Sequence, residues 1–457
     1  MSLPSGFPSR LAVVIALGAV ASAAVVFNGL AQSTTTTTAT PITPTTSATP
    51  AALTMSPTLT QATPQNVVTV PGMPPVPDAL NLYSEIAKGK ISTATAGALE
   101  RVYVPNRGEN SVSVIDPATL KVVDKFKVGI NPQHVVPSWD LKTLWVANNA
   151  EGRTDGSLTP IDPKTGKPGA SIPVDDPYNM YFSPDGKLAI VVAEAYKRLD
   201  FRDPVTMKMQ YSIATPKCPG INHADFSIDG KFVFFTCEFA GAFTKIDLVN
   251  RKVVDTIKLS PYFNRPDALA VIATPGKKPR FVPDPTKPGE EICTTPGMPQ
   301  DTRFSPDGKT LFIADMMADG VHVVDGDSFK QIGFLPTGVG AHGLYPSRDG
   351  KNLYVANRGS NKIRGTPKGK GSISVIDFAT RSVVKTWPIP GGGSPDMGNV
   401  SLDGKYLWLS GRYDNVVYRI ETTTGAVDQV KVGQEPHGLT VWPQPGRYSL
   451  GHTGNLR

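Results

Sequence analysis

Short runs of alternating apolar and polar residues recur along the chain, each followed by a turn and a second run rich in Val, Leu and aromatic residues. The turn most often reads Asp-Gly-Lys, starting at Asp185, Asp229, Asp307, Asp349 and Asp403, with weaker copies at Asp140 and Pro445. Most intervals between turns are 42 to 45 residues, while one of 54 and one of 78 carry insertions. A fixed period of this length, built from short strands, is typical of a β-propeller. The pattern therefore predicts an all-β, seven-bladed β-propeller of four-stranded antiparallel blades.

The unit at residues 342–387 shows the four strands of one blade most clearly. Its alternating runs cover residues 343–345, 353–357, 372–377 and 383–387, as expected for strands packed between two neighbouring blades. The first unit lacks an innermost strand, whereas the last begins with one. The two ends are therefore predicted to form a composite N-/C-terminal blade, which closes the ring and removes exposed sheet edges. Residues 447–452 are predicted either to add a further strand or to fold over one face, so His452 stays unplaced.

Three strands carry a related tetrapeptide, Tyr103-Val104-Pro105-Asn106, Trp145-Val146-Ala147-Asn148 and Tyr354-Val355-Ala356-Asn357. They resemble the YVTN-repeat β-propeller family, which is related to the propeller domains of nitrous-oxide reductase and cytochrome cd1 nitrite reductase. The resemblance covers residues 99–457 and implies the fold. The family includes binding proteins, surface proteins and enzyme subunits, so function has to be argued from the site.

The first 31 residues are predicted to be a signal peptide or an N-terminal membrane anchor. Arg10 precedes the apolar run 11–27, and Gly29-Leu30-Ala31 offers small residues to a signal peptidase. These small residues favour cleavage, although the run is close to the minimum length for a membrane span. Both alternatives predict an extracytoplasmic protein, either secreted, periplasmic or at the cell surface.

The next segment, residues 32–77, is rich in Thr and Pro and has no charged residue. It cannot bury enough apolar surface to fold and is predicted to be a disordered linker. Residues 78–98 are predicted to form a short helical lead-in, and residues 99–457 the propeller. An insertion at about 261–300 interrupts the repeat and is interpreted as either a lid over one face or padding.

Seven residues share one phase of the repeat, at the loop that leads into each innermost strand. Because innermost strands line the channel of a propeller, these side chains are expected to ring its mouth. Four of the six histidines of the chain are among them. The loops after each second strand open on the same face and add Arg107, Arg358 and Arg412. The ring consists of His134, Asn179, His223, Asp301, His342, Asp396 and His437.

The four ring histidines allow a metal site to be proposed from sequence. Imidazoles and carboxylates are common ligands of transition metals, so His134, His223, His342 and His437 are candidate metal ligands. Together with Asp301, Asp396 and the three arginines they are candidate ligand-binding residues. The alternative is that each histidine only hydrogen-bonds the backbone where its blade begins. No cofactor's complete ligand set can be matched, so no cofactor is assigned.

The three cysteines lie on the same side of the predicted disc. In an oxidising compartment, a disulfide between two of them is expected. Cys218 with Cys237 would fasten one blade, whereas either of them with Cys293 would fasten the insertion. We expect Cys218 and Cys237 to pair, although the spacing alone does not decide between these pairings.

The net charge and the sequence motifs exclude only a few classes of function. The formal net charge is +7 over 457 residues, and the basic loop 359–371 has no aromatic residue for base stacking, which argues against nucleic acid. No recognised nucleophile, phosphate-loop or zinc-helix motif is present. We expect a monomer that meets the membrane only through a possible N-terminal anchor.

The first hypothesis is a non-catalytic scaffold that binds an unidentified protein or small molecule at the channel mouth. The alternative is a metal-binding protein or metal-dependent enzyme of oxidoreductase, lactonase or lyase type.

Overall fold

The computed structural model describes residues 66–151, 153–264, 281–283, 289, 291–293 and 297–457. The predicted signal or anchor segment and most of the linker lie outside the described residues, as does most of the 261–300 insertion. In the part of the chain that is described, no helix has the length and apolar character needed to cross a bilayer.

Seven antiparallel sheets follow one another along the chain and contact each other in sequence order around a ring. The composite blade joins the innermost strand β31 (Thr440–Trp442) to β1 (Arg101–Asn106), β2 (Ser111–Asp116) and β3 (Lys121–Lys127). The seven-bladed fold and its composite closure are therefore confirmed.

The remaining six blades each begin at the channel and run outward. Blade 2 has a split outer edge, because two short strands pair with its third strand. Blade 2 is β4 (Pro132–Pro137), β5 (Leu144–Asn148), β6 (Asp155–Asp162), β7 (Lys167–Pro168) and β8 (Ile172–Asp175); blade 3 is β9 (Pro177–Phe182), β10 (Ala189–Ala193), β11 (Arg198–Arg202) and β12 (Met209–Ala214); blade 4 is β13 (Ile221–Phe226), β14 (Phe232–Cys237), β15 (Ala242–Asp247) and β16 (Lys252–Lys258).

The described residues of the insertion include one short hairpin, which lies between blades 4 and 5 in the sequence. It pairs β17 (Phe281–Pro283) with β18 (Glu291–Cys293). Blade 5 is β19 (Pro299–Phe304), β20 (Thr310–Asp315), β21 (Gly320–Asp325) and β22 (Lys330–Pro336); blade 6 is β23 (Ala341–Pro346), β24 (Asn352–Asn357), β25 (Ser372–Asp377) and β26 (Ser382–Pro388); blade 7 is β27 (Pro395–Val400), β28 (Tyr406–Gly411), β29 (Val416–Glu421) and β30 (Val427–Lys431).

Helical structure among the described residues is limited to four 3-10 turns. Where the sequence suggests a short helix in 78–98, the structure has only the turns Ser84–Ile86 and Thr93–Thr95. The other two, Arg107–Glu109 and Glu238–Ala240, follow the second strands of their blades.

The Asp-Gly turns are built by a local hydrogen-bond motif. In blade 3 the Ser183 hydroxyl donates to Asp185 Oδ1 at 2.6 Å and accepts from the backbone NH of Leu188 at 3.0 Å. Gly186 takes a positive φ of 71°, which a residue without a Cβ adopts at no steric cost. The same Ser-Asp pair recurs in other blades, so the repeated sequence motif fixes the hairpin between the first two strands.

Polar residues at the ends of the second strands stabilise the blades from within. Asn106 donates from Nδ2 to the hydroxyls of Ser111 (3.1 Å) and Ser113 (2.9 Å). Asn148 and Asn357 make the equivalent pairs of bonds in blades 2 and 6. These asparagines therefore act inside the sheet, where they connect the second strand of each blade to the third.

The C-terminal tail, residues 447–457, lies inside the channel. His452 NH donates to Met180 O at 3.0 Å, and Arg457 pairs with Asp225 at 2.5 Å. Asn399 of blade 7 donates to Thr453 O. Because the tail contacts the innermost strands of several blades, it fills the channel, which differs from both predicted arrangements, a further strand or a fold over one face.

Gly451 is required for this close approach. A Cβ added there would lie 2.4 Å from Tyr181 Cα and 2.6 Å from Met180 O, both backbone atoms, and φ is +101°. We expect Gly451→Ala to lower the free energy of unfolding by about 1 to 3 kcal/mol more than Gly391→Ala. Gly391 also has a positive φ, but its added Cβ would meet nothing within 4 Å. Equal losses in a urea titration of the two variants would contradict this placement of the tail.

Candidate functional site in the central channel

A backbone irregularity turns the ring residues toward the channel. In blades 2 to 7 the register between the innermost strand and its neighbour shifts beside the ring residue. Such bulges re-aim a side chain. The chain therefore brings its ring residues to one axis by repeating the same local distortion.

Five histidines lie together inside the channel. The ring centroid of His134 is 4.8 Å from that of His437 and 5.2 Å from those of His223 and His452. His342 joins the group through His437, at 6.0 Å. All five side chains are buried. The structure thus brings the four predicted histidines together and adds His452, but it places His134 and His223 within the channel and not at its mouth.

The upper part of the cluster is an ion-pair network centred on Asp396. Oδ1 of this carboxylate is 3.0 Å from His342 Nδ1, and Oδ2 is 3.5 Å from His437 Nε2. Arg358 and Arg412 approach the same carboxylate at 3.2 and 3.7 Å. Burial alone would raise the pKa of Asp396, but Arg358 and the two histidines hold it well below its ordinary value. Asp396 is therefore charged and already paired.

The lower part of the cluster consists of His134, His223 and His452. Asn179 Nδ2 is 3.2 Å from His223 Nδ1 and 3.0 Å from His452 Nδ1. One ligand atom of each histidine lies within 4.8 Å of those of the other two. Among the described residues, both nitrogens of His134 and Nε2 of His223 and His452 have no hydrogen-bond partner. Burial lowers the pKa of all three imidazoles well below the ordinary value, so each is neutral at pH 7.

The predicted ring aspartate Asp301 lies beneath the cluster. Its carboxylate accepts from Arg303 at 2.7 Å and from the Leu344 backbone NH at 3.0 Å. His452 Nε2 is 3.6 Å away, beyond hydrogen-bond distance. Asp301 therefore links two blades and does not reach the channel mouth.

Above the histidines, a pocket of about 320 Å³ opens at the channel mouth. His342 and His437 form part of its floor, and Arg107, Arg358 and Arg412 line it as the sequence predicts. Several acidic and aromatic residues of the lining were not predicted, among them Asp176, Tyr178, Glu194, Glu238 and Tyr413. Glu194 and Glu238 directly follow second strands, at the same phase as the three arginines, so the repeat pattern held the signal.

The pocket acids hold protons more tightly than free carboxyls. Burial raises the pKa of Asp176 to about 6, and burial is also the main cause of the raised pKa of Glu194 and of Glu238. Paired acids in a cleft with shifted pKa values are common at functional sites.

A disulfide joins Cys218 to Cys237, with Cα atoms 4.8 Å apart. It connects the loop before β13 to the end of β14. Since Glu238 is the next residue, the bond also fixes one edge of the pocket. The side chain of Cys293 lies outside the described residues.

The raised pKa of Asp176 gives a stability prediction. Between pH 4 and 6 the folded protein keeps a proton that the unfolded chain has lost, so stability falls as pH rises through that interval. We expect Asp176→Asn to raise the free energy of unfolding at pH 7 by about 2 to 3 kcal/mol, with the gain shrinking to zero near pH 4.

Urea titrations at several pH values measure the gain. Asp203→Asn is the control, because hydrogen bonds from the backbone NH and hydroxyl of Thr206 and the backbone NH of Val205 lower the pKa of Asp203, and that variant should gain nothing. A gain from Asp176→Asn that does not vary with pH would contradict the assignment.

The family model described as YNCE-like beta-propeller matches residues 82–220 and 291–445, as the Tyr-Val-x-Asn strands predict. No curated protein is significantly similar in sequence. Among solved structures, a putative 6-phosphogluconolactonase from Bacteroides uniformis is similar with a TM-score of 0.54 and 16% identity, covering 75% of this chain and 99% of that one.

Two further structures are similar at comparable levels. A functionally unknown protein from Desulfotomaculum acetoxidans has a TM-score of 0.52 and 14% identity over 75% of this chain and 98% of that one. Hydrazine synthase from Kuenenia stuttgartiensis has a TM-score of 0.49 and 17% identity over 74% and 93%. At such identities the likeness to the Bacteroides uniformis and Desulfotomaculum acetoxidans structures shows the fold alone.

Proposed function

We propose that this chain, which belongs to the YNCE-like beta-propeller family, binds a transition metal ion in its channel through His134, His223 and His452. The observation that carries the proposal is that these three neutral imidazoles converge while four of their buried ring nitrogens lack a hydrogen-bond partner among the described residues. A buried polar atom without a partner costs about 1 to 3 kcal/mol. Coordination by one nitrogen of each ring would offset much of that cost. Through Nε2 of His223 and His452 it requires the ring proton on Nδ1, so the Asn179 amide would turn its oxygen toward the two rings and give up its bond from the Met180 backbone NH.

The lower histidines fit a metal better than the upper group does. Asp396 could serve as a ligand beside His342 and His437, but Arg358 and Arg412 already approach it. A divalent cation placed there would be repelled by two guanidinium groups. Near the lower histidines, Arg303 also lowers the pKa of His452, but its charge is paired with Asp301 at 2.7 Å.

Imidazole donors restrict the class of metal. Nitrogen ligands without thiolate suit Zn, Cu, Fe or Ni, whereas Ca and Mg prefer oxygen. Three protein ligands also leave a coordination position open, as in catalytic zinc sites. When bound, such an ion supplies Lewis acidity, and the chain's own contribution is to hold the three imidazoles neutral and buried.

Elemental analysis of the protein, purified without chelators or a histidine tag, tests this proposal. We expect close to one equivalent of Zn, Cu, Fe or Ni per chain. A metal-free protein that also fails to bind any of these ions in a titration would overturn the proposal.

A second candidate function is ligand binding at the channel mouth without catalysis. The observation in its favour is the pocket of about 320 Å³ lined by charged side chains from several blades. In this function the protein binds its ligand without converting it, whereas a metal-dependent enzyme of oxidoreductase, lactonase or lyase type would turn the ligand over. The two functions can coexist, because the pocket lies above the lower histidines.

We also propose that the protein works outside the cytoplasm. The disulfide between Cys218 and Cys237 supports this, since such bonds persist in oxidising compartments. Alkylation of free thiols on intact cells, followed by mass spectrometry, should leave both cysteines unmodified. Labelling of both without added reductant would contradict the proposal.

A further inference from the structure

The residues that directly follow the second strand of each blade surround the mouth pocket in a fixed order. Because blades follow one another around the ring, sequence order gives angular position. Blades 3 and 4 place glutamates at this position, while blades 6, 7 and the composite blade place arginines. From the composite blade through blade 7 the residues are Arg107, Asn149, Glu194, Glu238, Met316, Arg358 and Arg412.

This order makes the pocket bipolar. In a seven-bladed ring the boundary between blades 3 and 4 lies opposite blade 7, so Glu194 and Glu238 face Arg412 across the mouth. Asp176, which leads into blade 3, joins the acidic half.

The acids of this half have no ion-pair partner among the described residues, although Lys197 also lines the pocket. Among the described residues, neither Glu194, Glu238 nor Asp176 forms an ion pair, although Asn222 Nδ2 donates to Glu238 at 2.7 Å. Asp176 accepts from the Ala195 backbone NH. The neighbouring Tyr178 is buried and adds no charge at pH 7. An ammonium group, with three N–H donors, would complement these carboxyls, and its positive charge would favour their ionised form against the effect of burial.

The basic half has unused donors. No hydrogen bond joins the guanidinium of Arg412 to any described residue, and its only ion-pair contact is Asp396 at 3.7 Å. Nε of Arg358 is buried and has no described partner, while the ring of Tyr413 lies 5.4 Å from that guanidinium and helps to position it. Arg107 pairs with Glu151 and Glu435 on the outer rim. A carboxylate would match the fork of a guanidinium.

We propose that the mouth pocket binds a small zwitterion of the free amino acid class, with its ammonium at Glu194 and Glu238 and its carboxylate at Arg412 and Arg358. The volume of about 320 Å³ is at the small end of the range for ligand pockets. Binding requires no metal, so this site is independent of the proposed metal function, and the inference rests on the second candidate function, for which it names the class of ligand.

Calorimetric titration with matched compounds tests the zwitterion directly. The probes are leucine, phenylalanine, glutamate and lysine, each compared with the amine that lacks its carboxylate and the acid that lacks its amino group. We expect at least one amino acid to bind at least tenfold more tightly than both of its partners, with or without EDTA. Equal binding of the acid alone, equal binding of the amine alone, or no binding of any of the four amino acids would overturn the proposal.

Single variants locate the two ends of the ligand. Glu194→Gln and Arg412→Gln are each expected to weaken binding of the amino acid with the highest affinity 10- to 100-fold. Arg419→Gln is the control, because that arginine pairs with exposed Asp428 on an outer strand of blade 7. The affinity of this variant for the amino acid should not change. Unchanged affinity in both pocket variants would refute this site. If Arg412→Gln fails to fold, Glu194→Gln, whose carboxylate has no described ion pair, decides the question alone.

Discussion

We expect that replacing His452 by asparagine will abolish the proposed metal binding in the channel. Asparagine keeps a polar atom near Nδ1, where Asn179 approaches at 3.0 Å, but it lacks the Nε2 atom that has no partner. Loss of an outer partner of a ligand already costs 10- to 100-fold in metal affinity. Loss of one of three ligands should therefore weaken binding by at least about 100-fold, measured by competition with a chromogenic chelator.

His342→Asn is the matched control for this prediction. His342 is equally buried but belongs to the upper group, where Asp396 lies 3.0 Å from its Nδ1. We expect that variant to keep its metal at close to the affinity of the unmodified protein. Metal loss in His342→Asn with retention in His452→Asn would place the ion in the upper group and contradict the assignment.

Replacing Asp225 by alanine will be strongly destabilising. This buried carboxylate accepts from the Phe304 backbone NH at 2.9 Å and from Asn455 at 3.0 Å, and it pairs with Arg457. It therefore links blade 4 to blade 5 and fastens the tail that carries His452. Removing one partner of a buried ion pair leaves the other charge uncompensated, which costs about 3 to 5 kcal/mol. Urea unfolding monitored by tryptophan fluorescence measures the loss.

Asp428→Ala provides the comparison for Asp225→Ala. Asp428 also pairs with an arginine, at 2.6 Å, but half of its side chain is exposed. Exposed pairs contribute about 0 to 1 kcal/mol. Similar losses in the two variants would show that the tail is not fastened through Asp225.

The repeat phase made the ring predictable from sequence. His134, His223, His342 and His437 share one position in four units, and a propeller places equivalent positions around one axis. The same reasoning brought Arg107, Arg358 and Arg412 to one pocket. It would have identified Glu194 and Glu238 had every residue at that phase been considered, whatever its charge.

Other parts of the site depend on contacts that a repeat does not encode. His452 belongs to a tail outside the repeat, and only the folded channel shows that it meets His134 and His223. The division of the histidines into two groups follows from distances to Asp396, a residue on a different blade. Which two cysteines pair likewise depends on distances in the folded chain, where the loop before β13 brings Cys218 next to Cys237 at the end of β14.

Anomalous diffraction at the absorption edge of the metal found by elemental analysis tests the central claim most directly. A crystal of the metal-loaded protein should give one strong anomalous peak per chain, enclosed by the ring nitrogens of His134, His223 and His452 at about 2.0 to 2.2 Å. A peak beside Asp396, a peak elsewhere on the disc, or no peak in a protein shown to be loaded would contradict the account.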